Sequence, residues 1–218
     1  MPERDNPFLT VIVGATNSGK TTLTEQLIMH RKRVLAITPH FKEWEDFENI
    51  NPQNKAFWKF NGTKRVQAYT NVIKHLNGNK SIIENKNKNE NTDYFRNGVF
   101  IFDDSRMYVN ARVEDDLYQI LQSRDQRKTD IFVVAHGLTV VPPMFFLYVD
   151  KFIMFRTQDN LKKRKNDLIW YNELVELQQN VNKIATDKKL DAKGNIMYND
   201  KGEIIYKNPH YFDVFKTK

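Results

Sequence analysis

The sequence predicts an α/β fold in which a mostly parallel sheet is flanked by helices. Three observations carry that prediction. Short apolar, β-branched runs recur at residues 8–13, 34–37, 98–102, 130–135 and 150–155. Stretches with helical apolar spacing lie between several of them, as crossovers between parallel strands require. The first run ends abruptly in a glycine-bracketed loop that opens a helix, Gly14-Ala15-Thr16-Asn17-Ser18-Gly19-Lys20-Thr21-Thr22.

Residues 8–13 are the first strand. The loop after them has the spacing G-x-x-x-x-G-K-[ST], in the strand–loop–helix setting where it binds phosphate. Gly14 and Gly19 let the backbone curl so that successive N–H groups face phosphate oxygens, and the helix N-terminus adds partial positive charge. Lys20 is placed to reach the β- and γ-phosphates and the Thr21 hydroxyl to ligate Mg2+. Gly14, Ala15, Thr16, Asn17, Ser18, Gly19, Lys20, Thr21 and Thr22 are therefore the expected nucleotide-binding residues, with ATP and Mg2+ as ligands.

The helix runs over 20–29 and closes on Arg31-Lys32-Arg33, the charge its dipole favours. Residues 34–37 form the second strand, stopped by Pro39. Residues 41–50 mix aromatics with acids and read as a helix or an irregular surface excursion. Residues 57–60 suggest a short strand with Asn61-Gly62 as its turn. Tyr69, Val72, Ile73 and Leu76 recur at helical spacing within 69–83. The polar run 84–91 buries nothing apolar and is expected to be solvated.

Residues 98–102 form a buried strand ending in Asp103-Asp104. Residues 111–124 are amphipathic, with Val113, Leu117, Ile120 and Leu121 on one face. A buried strand at 130–135 ends at His136. The uncharged stretch 131–149 is nominally long enough to span a membrane. His136, Gly137 and Pro142-Pro143 divide it into a strand, a loop and an apolar turn, so no integral membrane segment is expected. Residues 150–155 are the last predicted strand. A basic cluster follows at 161–165. A long helix is expected over 168–184, with Leu168, Tyr171, Leu174, Val175, Val181 and Ile184 on its apolar face. The units 190–198 and 199–206 each pair a Gly turn with a β-like run and suggest a hairpin arm. The expected domains are a core over 1–157 and a C-terminal helix-plus-hairpin appendage over 158–218.

The chain's 218 residues suit one α/β domain. A net charge of +7 and a pI near 9.4 permit a polyanionic partner without establishing one. The lack of cysteine excludes disulfides, thiol catalysis and cysteine-ligated zinc, and fits a reducing, cytoplasmic interior. The polar N-terminus has no apolar signal-peptide core.

Hydrolysis of a bound triphosphate needs a carboxylate for the Mg2+ shell and a group that activates water. Asp103 is the expected metal residue and Asp104 the expected catalytic carboxylate. His136 sits where a polar group would sense the γ-phosphate, or else it is a locally bonded turn histidine. At least one strand and two helices intervene between Val13 and Val99. That favours a RecA-like order, with another strand between the two motif strands; nucleoside kinases usually set them side by side. Arg124 and Arg127, just before the next strand, are candidate arginine fingers acting on a neighbouring subunit, or else a solvated helix end. Arg106 and Arg112 are weaker candidates. A finger in trans implies a homo-oligomeric ring.

The loop 14–22, the segment Val99-Phe-Ile-Phe-Asp103-Asp104-Ser-Arg106 and the segment 123–136 together resemble the FtsK/HerA group of P-loop ATPases. More narrowly, they resemble the small DNA-packaging ATPases of membrane-containing viruses and the N-terminal domain of zonula occludens toxin-like phage proteins. The resemblance covers residues 8–157. Asp104 stands where glutamate is common in the group and His136 where glutamine is usual. The resemblance implies ATP-driven movement of DNA without sequence preference by a ring such as a hexamer. A viral capsid or membrane component is an implied partner, and the host cytoplasm or the virion the implied place. Lys162, Lys163, Arg164 and Lys165 would then face DNA, or else form a solvated face. The alternatives are a phage assembly or secretion ATPase and a nucleoside-type kinase, for which 162–165 would form a phosphate lid. Phe57, Trp58 and Trp170 read most simply as core or interface residues.

Overall fold

A computed structural model describes residues 6–52, 58–61, 64–67, 72–73, 76, 95–109 and 113–217. Most of the helix expected over 69–83, the run 84–91, Phe57 and Arg112 lie outside the described residues. Within the former, Val72, Ile73 and Leu76 are helical and buried.

Seven strands form one sheet: β1 (Leu9–Val13), β2 (Val34–Ile37), β3 (Glu48–Ile50), β6 (Val99–Asp103), β7 (Asp130–Ala135), β8 (Lys151–Phe155) and β9 (Phe212–Lys216). Their order is β3-β2-β6-β7-β1-β8-β9. All neighbours are parallel except β9, which runs antiparallel to β8. β4 (Trp58–Asn61) and β5 (Lys64–Gln67) form a separate antiparallel pair. β7 separates β1 from β6, so the RecA-like order expected from the spacing is present.

The central strands are apolar throughout because both of their faces are covered. On one face Leu9, Val11, Val13, Phe100, Phe102, Ile131 and Val133 pack with Leu117, Ile120 and Leu121 of α2 (Glu114–Gln122) and Leu174 of α4 (Tyr171–Ala185). On the other, Ile12, Ala36, Ile101, Val134 and Phe155 pack with Ile28 of α1 (Lys20–Ile28) and with Trp44. Each buried Val, Leu, Ile or Phe among them contributes about 1.5–3 kcal/mol of transfer free energy. The short helix α3 (Arg124–Arg127) leads into β7. Residues 131–149 divide as expected, into β7 and two short 3-10 turns, Leu138–Val140 and Pro143–Leu147. Among the described residues no helix is long and apolar enough to cross a membrane.

The tail is tied back to the sheet. Asn182 of α4 brackets Thr157, accepting from its N–H at 3.0 Å and donating to its carbonyl at 2.8 Å. Two Gly turns follow α4 with one shared pattern. Asp191 Oδ1 accepts from the N–H groups of Lys193 and Asn195, and Asn199 Oδ1 accepts from those of Lys201 and Glu203. The flanking backbone closes on itself. Met197 N–H donates to Lys189, Ile205 to Met197, and Lys189 to Ile205. The expected hairpin arm is therefore a three-armed pinwheel, two arms being turns and the third the paired entry and exit at Lys188 and Tyr206. The chain then continues into β9, which the sequence reading missed. Its alternation buries little: Phe212 and Val214 are on the exposed face, and Asp213 and Phe215 are partly covered.

Candidate nucleotide site

β1 delivers its loop at the C-terminal edge of the sheet. Gly14 is required by close approach: a Cβ there would lie 2.5 Å from Phe155 Cβ and 2.7 Å from Ser18 Oγ. Gly19 takes φ 99°, the left-handed region where a side chain is strained. The loop is anchored on its β8 side, where Ala15 N–H donates to the Arg156 carbonyl at 2.8 Å. Lys20 is 8% exposed, and its Nζ donates to the Ala15 carbonyl at 2.8 Å. Burial pulls this ammonium below the usual lysine value, while Asp103, Asp104 and Glu43 pull it back.

A cavity of about 500 Å3 opens over the loop, lined by residues 16–22 and by Glu25, His40, Glu43, Asp103, Asp104, Val134, Ala135 and His136. The structure thus brings the loop, both acids and His136 together. Ser18 Oγ is buried without a hydrogen-bond partner among the described residues. An orphaned hydroxyl in a phosphate loop fits an absent phosphate oxygen, since buried polar groups are otherwise satisfied.

Asp103 is 6% exposed, and its Oδ2 accepts from Thr38 Oγ1 at 2.7 Å and Trp44 Nε1 at 3.0 Å. Burial lifts its carboxyl above the ordinary range, and the Thr38 and Trp44 donors oppose the lift. Both of those bonds land on one oxygen, which leaves Oδ1 for a cation. Asp103, the Thr21 hydroxyl and phosphate oxygens suit Mg2+, which takes one or two carboxylates and keeps several waters. Asp104 follows at φ 46° in the left-handed region, which a short polar side chain tolerates. Its Oδ2 lies 2.9 Å from His40 Nε2 and 3.7 Å from His136 Nε2. Tyr108, fully buried, straps the ends of β2 and β6 by donating to the carbonyls of Ile37 and Asp103.

Sequence reasoning missed the segment after β2. Residues 41–50, expected as a helix or excursion, contain the 3-10 turn Phe41–Trp44 and then β3. Together with Thr38 and His40, this turn supplies the support of both acids. Thr38 links them through His40, donating to Asp103 while accepting from the N–H of His40, whose ring meets Asp104, at 2.8 Å. Glu43 Oε2 stands 3.5 Å from Thr21 Oγ1 at the cavity mouth. A polar cluster directly after a buried strand, as Asp103-Asp104 is, would have found this segment.

Arg124 and Arg127 do not line the cavity. They precede β7 and so lie at the opposite edge of the sheet, because parallel strands put every C-terminal end on one side. Arg124 is held by Asp150 at 3.1 Å and donates to the Tyr148 carbonyl at 2.7 Å. Arg127 is 7% exposed and donates to Ser123 Oγ and the Leu76 carbonyl. The basic cluster also divides. Arg164 turns inward to the carbonyls of Thr139 and Val141, while Lys162, Lys163 and Lys165 are exposed.

The chain matches no protein-family profile and no curated protein sequence. It is similar in fold to solved structures. One is the genome packaging NTPase B204 from Sulfolobus turreted icosahedral virus 2 in complex with AMPPCP, at 15% identity and TM-score 0.49, covering 96% of this chain and 97% of that one. Another is the N-terminal domain of zonular occludens toxin from Neisseria meningitidis, at 14% identity and TM-score 0.45, covering 70% and 78%. A third is the pCW3 conjugation coupling protein TcpA with ATPγS, at 16% identity and TM-score 0.42, covering 78% of this chain and 54% of that one.

Proposed function

We propose that the protein is a Mg2+-dependent ATPase that drives the movement or packaging of DNA. The observation that carries the hydrolytic part is the meeting of the phosphate loop with Asp103, Asp104 and His136 across an intervening strand. In this reading the loop amides and Lys20 hold the triphosphate. Thr21 and Asp103 hold Mg2+, which screens phosphate charge when bound. Asp104 draws a proton from the attacking water, and His40 orients its carboxylate. His136 reports the terminal phosphate. The intervening strand disfavours the kinase reading, which expects adjacent motif strands.

The DNA part rests on the resemblance of the three motif segments to packaging ATPases and on the net charge of +7. Lys162, Lys163 and Lys165 are the exposed cations offered to a phosphate backbone. Assembly into a ring such as a hexamer belongs to the same proposal. Arg124 or Arg127 would have to leave its present contacts to act in trans. Arg106 is exposed two residues beyond Asp104 and enters the same test.

The experiment is ATP hydrolysis with and without DNA for the wild type, Lys20→Ala and Asp104→Asn, with light scattering for assembly. Lys20→Ala should lose nucleotide binding. Asp104→Asn should keep binding and lose about 100-fold or more in turnover. A finger variant among Arg106→Ala, Arg124→Ala and Arg127→Ala should bind ATP, lose turnover and poison mixed assemblies. Hydrolysis indifferent to DNA, or an Asp104→Asn variant of undiminished rate, would refute the proposal.

A further inference from the structure

The cavity accounts for the phosphates and the metal but not for the rest of a nucleotide. Its terminal-phosphate end is fixed by Asp103 at the end of β6, Asp104 just beyond it and His136 just beyond β7. β8 and β9 lie on the other side of β1. A nucleotide bound along the loop with its γ-phosphate at β6 and β7 leads its sugar and base over the β8 and β9 side.

The chain has placed its own tail there. His210 Nδ1 lies 3.2 Å from the Ser18 carbonyl. A carbonyl only accepts, so Nδ1 carries the proton and donates. The imidazole rides over Gly19, where a Cβ would stand 3.7 Å from its Nδ1 and 3.8 Å from its Cβ. The residue is nevertheless exposed, so a ligand on the loop can reach it. Phe155 also backs Gly19 and packs in a tilted pair with Phe212 of β9, with ring centroids 5.1 Å apart. The tail meets the end of β8 a second time where the Arg156 guanidinium lies 5.8 Å from the centre of the Tyr206 ring. An aromatic ring held against the phosphate loop in an exposed residue has the chemistry of a stacking platform for a planar heterocycle.

We propose that His210 is the platform of a nucleobase subsite, formed when the C-terminal tail folds across the phosphate loop. The inference rests on the nucleotide reading above and extends it to the base. The test is binding of ATP and of inorganic tripolyphosphate, by calorimetry, to the wild type, His210→Ala and His210→Phe. His210→Ala should weaken ATP by about tenfold, the scale of one lost base–aromatic stack. It should leave tripolyphosphate unchanged. His210→Phe keeps a ring but cannot donate to Ser18, and should hold ATP to within about twofold of wild type if stacking is what matters. An equal loss for both ligands would mean that His210 only braces the loop, and would overturn the subsite. So would an ATP affinity that His210→Ala leaves unmoved. A wild type that binds neither ligand would overturn the nucleotide reading and the subsite with it.

Discussion

Thr38→Val deletes one oxygen and keeps the side chain's shape at a site with no solvent exposure. The lost hydroxyl donates to Asp103 Oδ2 at 2.7 Å and accepts from His40 N–H at 2.8 Å. A hydrogen bond to an ionised group contributes about 1.5–3 kcal/mol. For a chain of this size each kcal/mol shifts the midpoint by roughly 2–4 °C, so the variant should melt about 3–12 °C lower at neutral pH. The loss has a sign in pH. Burial raises the folded Asp103 value, so the ionised carboxylate costs native stability, and that cost appears as pH rises through the folded value. Thr38 offsets the cost only where Asp103 is charged. The gap between wild type and variant should therefore be full at pH 7.5 and shrink on acidification through the raised Asp103 value. Thermal melts followed by circular dichroism, at pH 7.5 and at the lowest pH where the wild type stays folded, measure both gaps. Equal gaps, or a wider one in acid, would refute the assignment of Thr38 to the charged carboxylate.

Two further outcomes follow from the same geometry. Burial works against the charged His40 ring, but the Asp104 hydrogen bond and the nearby carboxylates raise its value on balance. Its contribution is thus present below about pH 6.5, the unfolded value, and lost as pH rises through the folded one. The stability gap between wild type and His40→Ala should be larger at pH 6 than at pH 9, and at most about 1 kcal/mol because the pair is partly exposed. Turnover in that variant should fall while ATP affinity holds; an affinity loss of equal size would count against a positioning role. Gly14→Ala should be overpacked against Phe155 and Ser18, losing about 1–3 kcal/mol in denaturant titrations, with weaker ATP binding. An unaffected variant would mean that the loop shifts freely.

The parts legible in the sequence were those with strong local constraints. The loop could be read because its spacing and setting are dictated by phosphate, and β1, β6, β7 and β8 because strands covered on both faces must be apolar throughout. The strand between β1 and β6 could be inferred from the amount of chain intervening. Thr38, His40 and Trp44 were hidden because their role depends on how β2 lies beside β6, a non-local fact. β9 was hidden because its burial alternates but its apolar residues do not follow: Phe212 and Val214 lie on the exposed face and Asp213 on the covered one. The arginines illustrate a different difficulty. Charge is visible in sequence, but the end of the sheet on which Arg124 and Arg127 fall follows from their position before β7, a topological clue.

The pinwheel between α4 and β9 closes after three arms, so its size is fixed by geometry: a fourth eight-residue unit would prise it open. Its tips carry no such restriction, since Ala192 and Asp200 are exposed and face nothing that holds the circle shut. Those two points are natural places to graft a fluorophore or an affinity handle, remote in sequence from every residue of the phosphate loop.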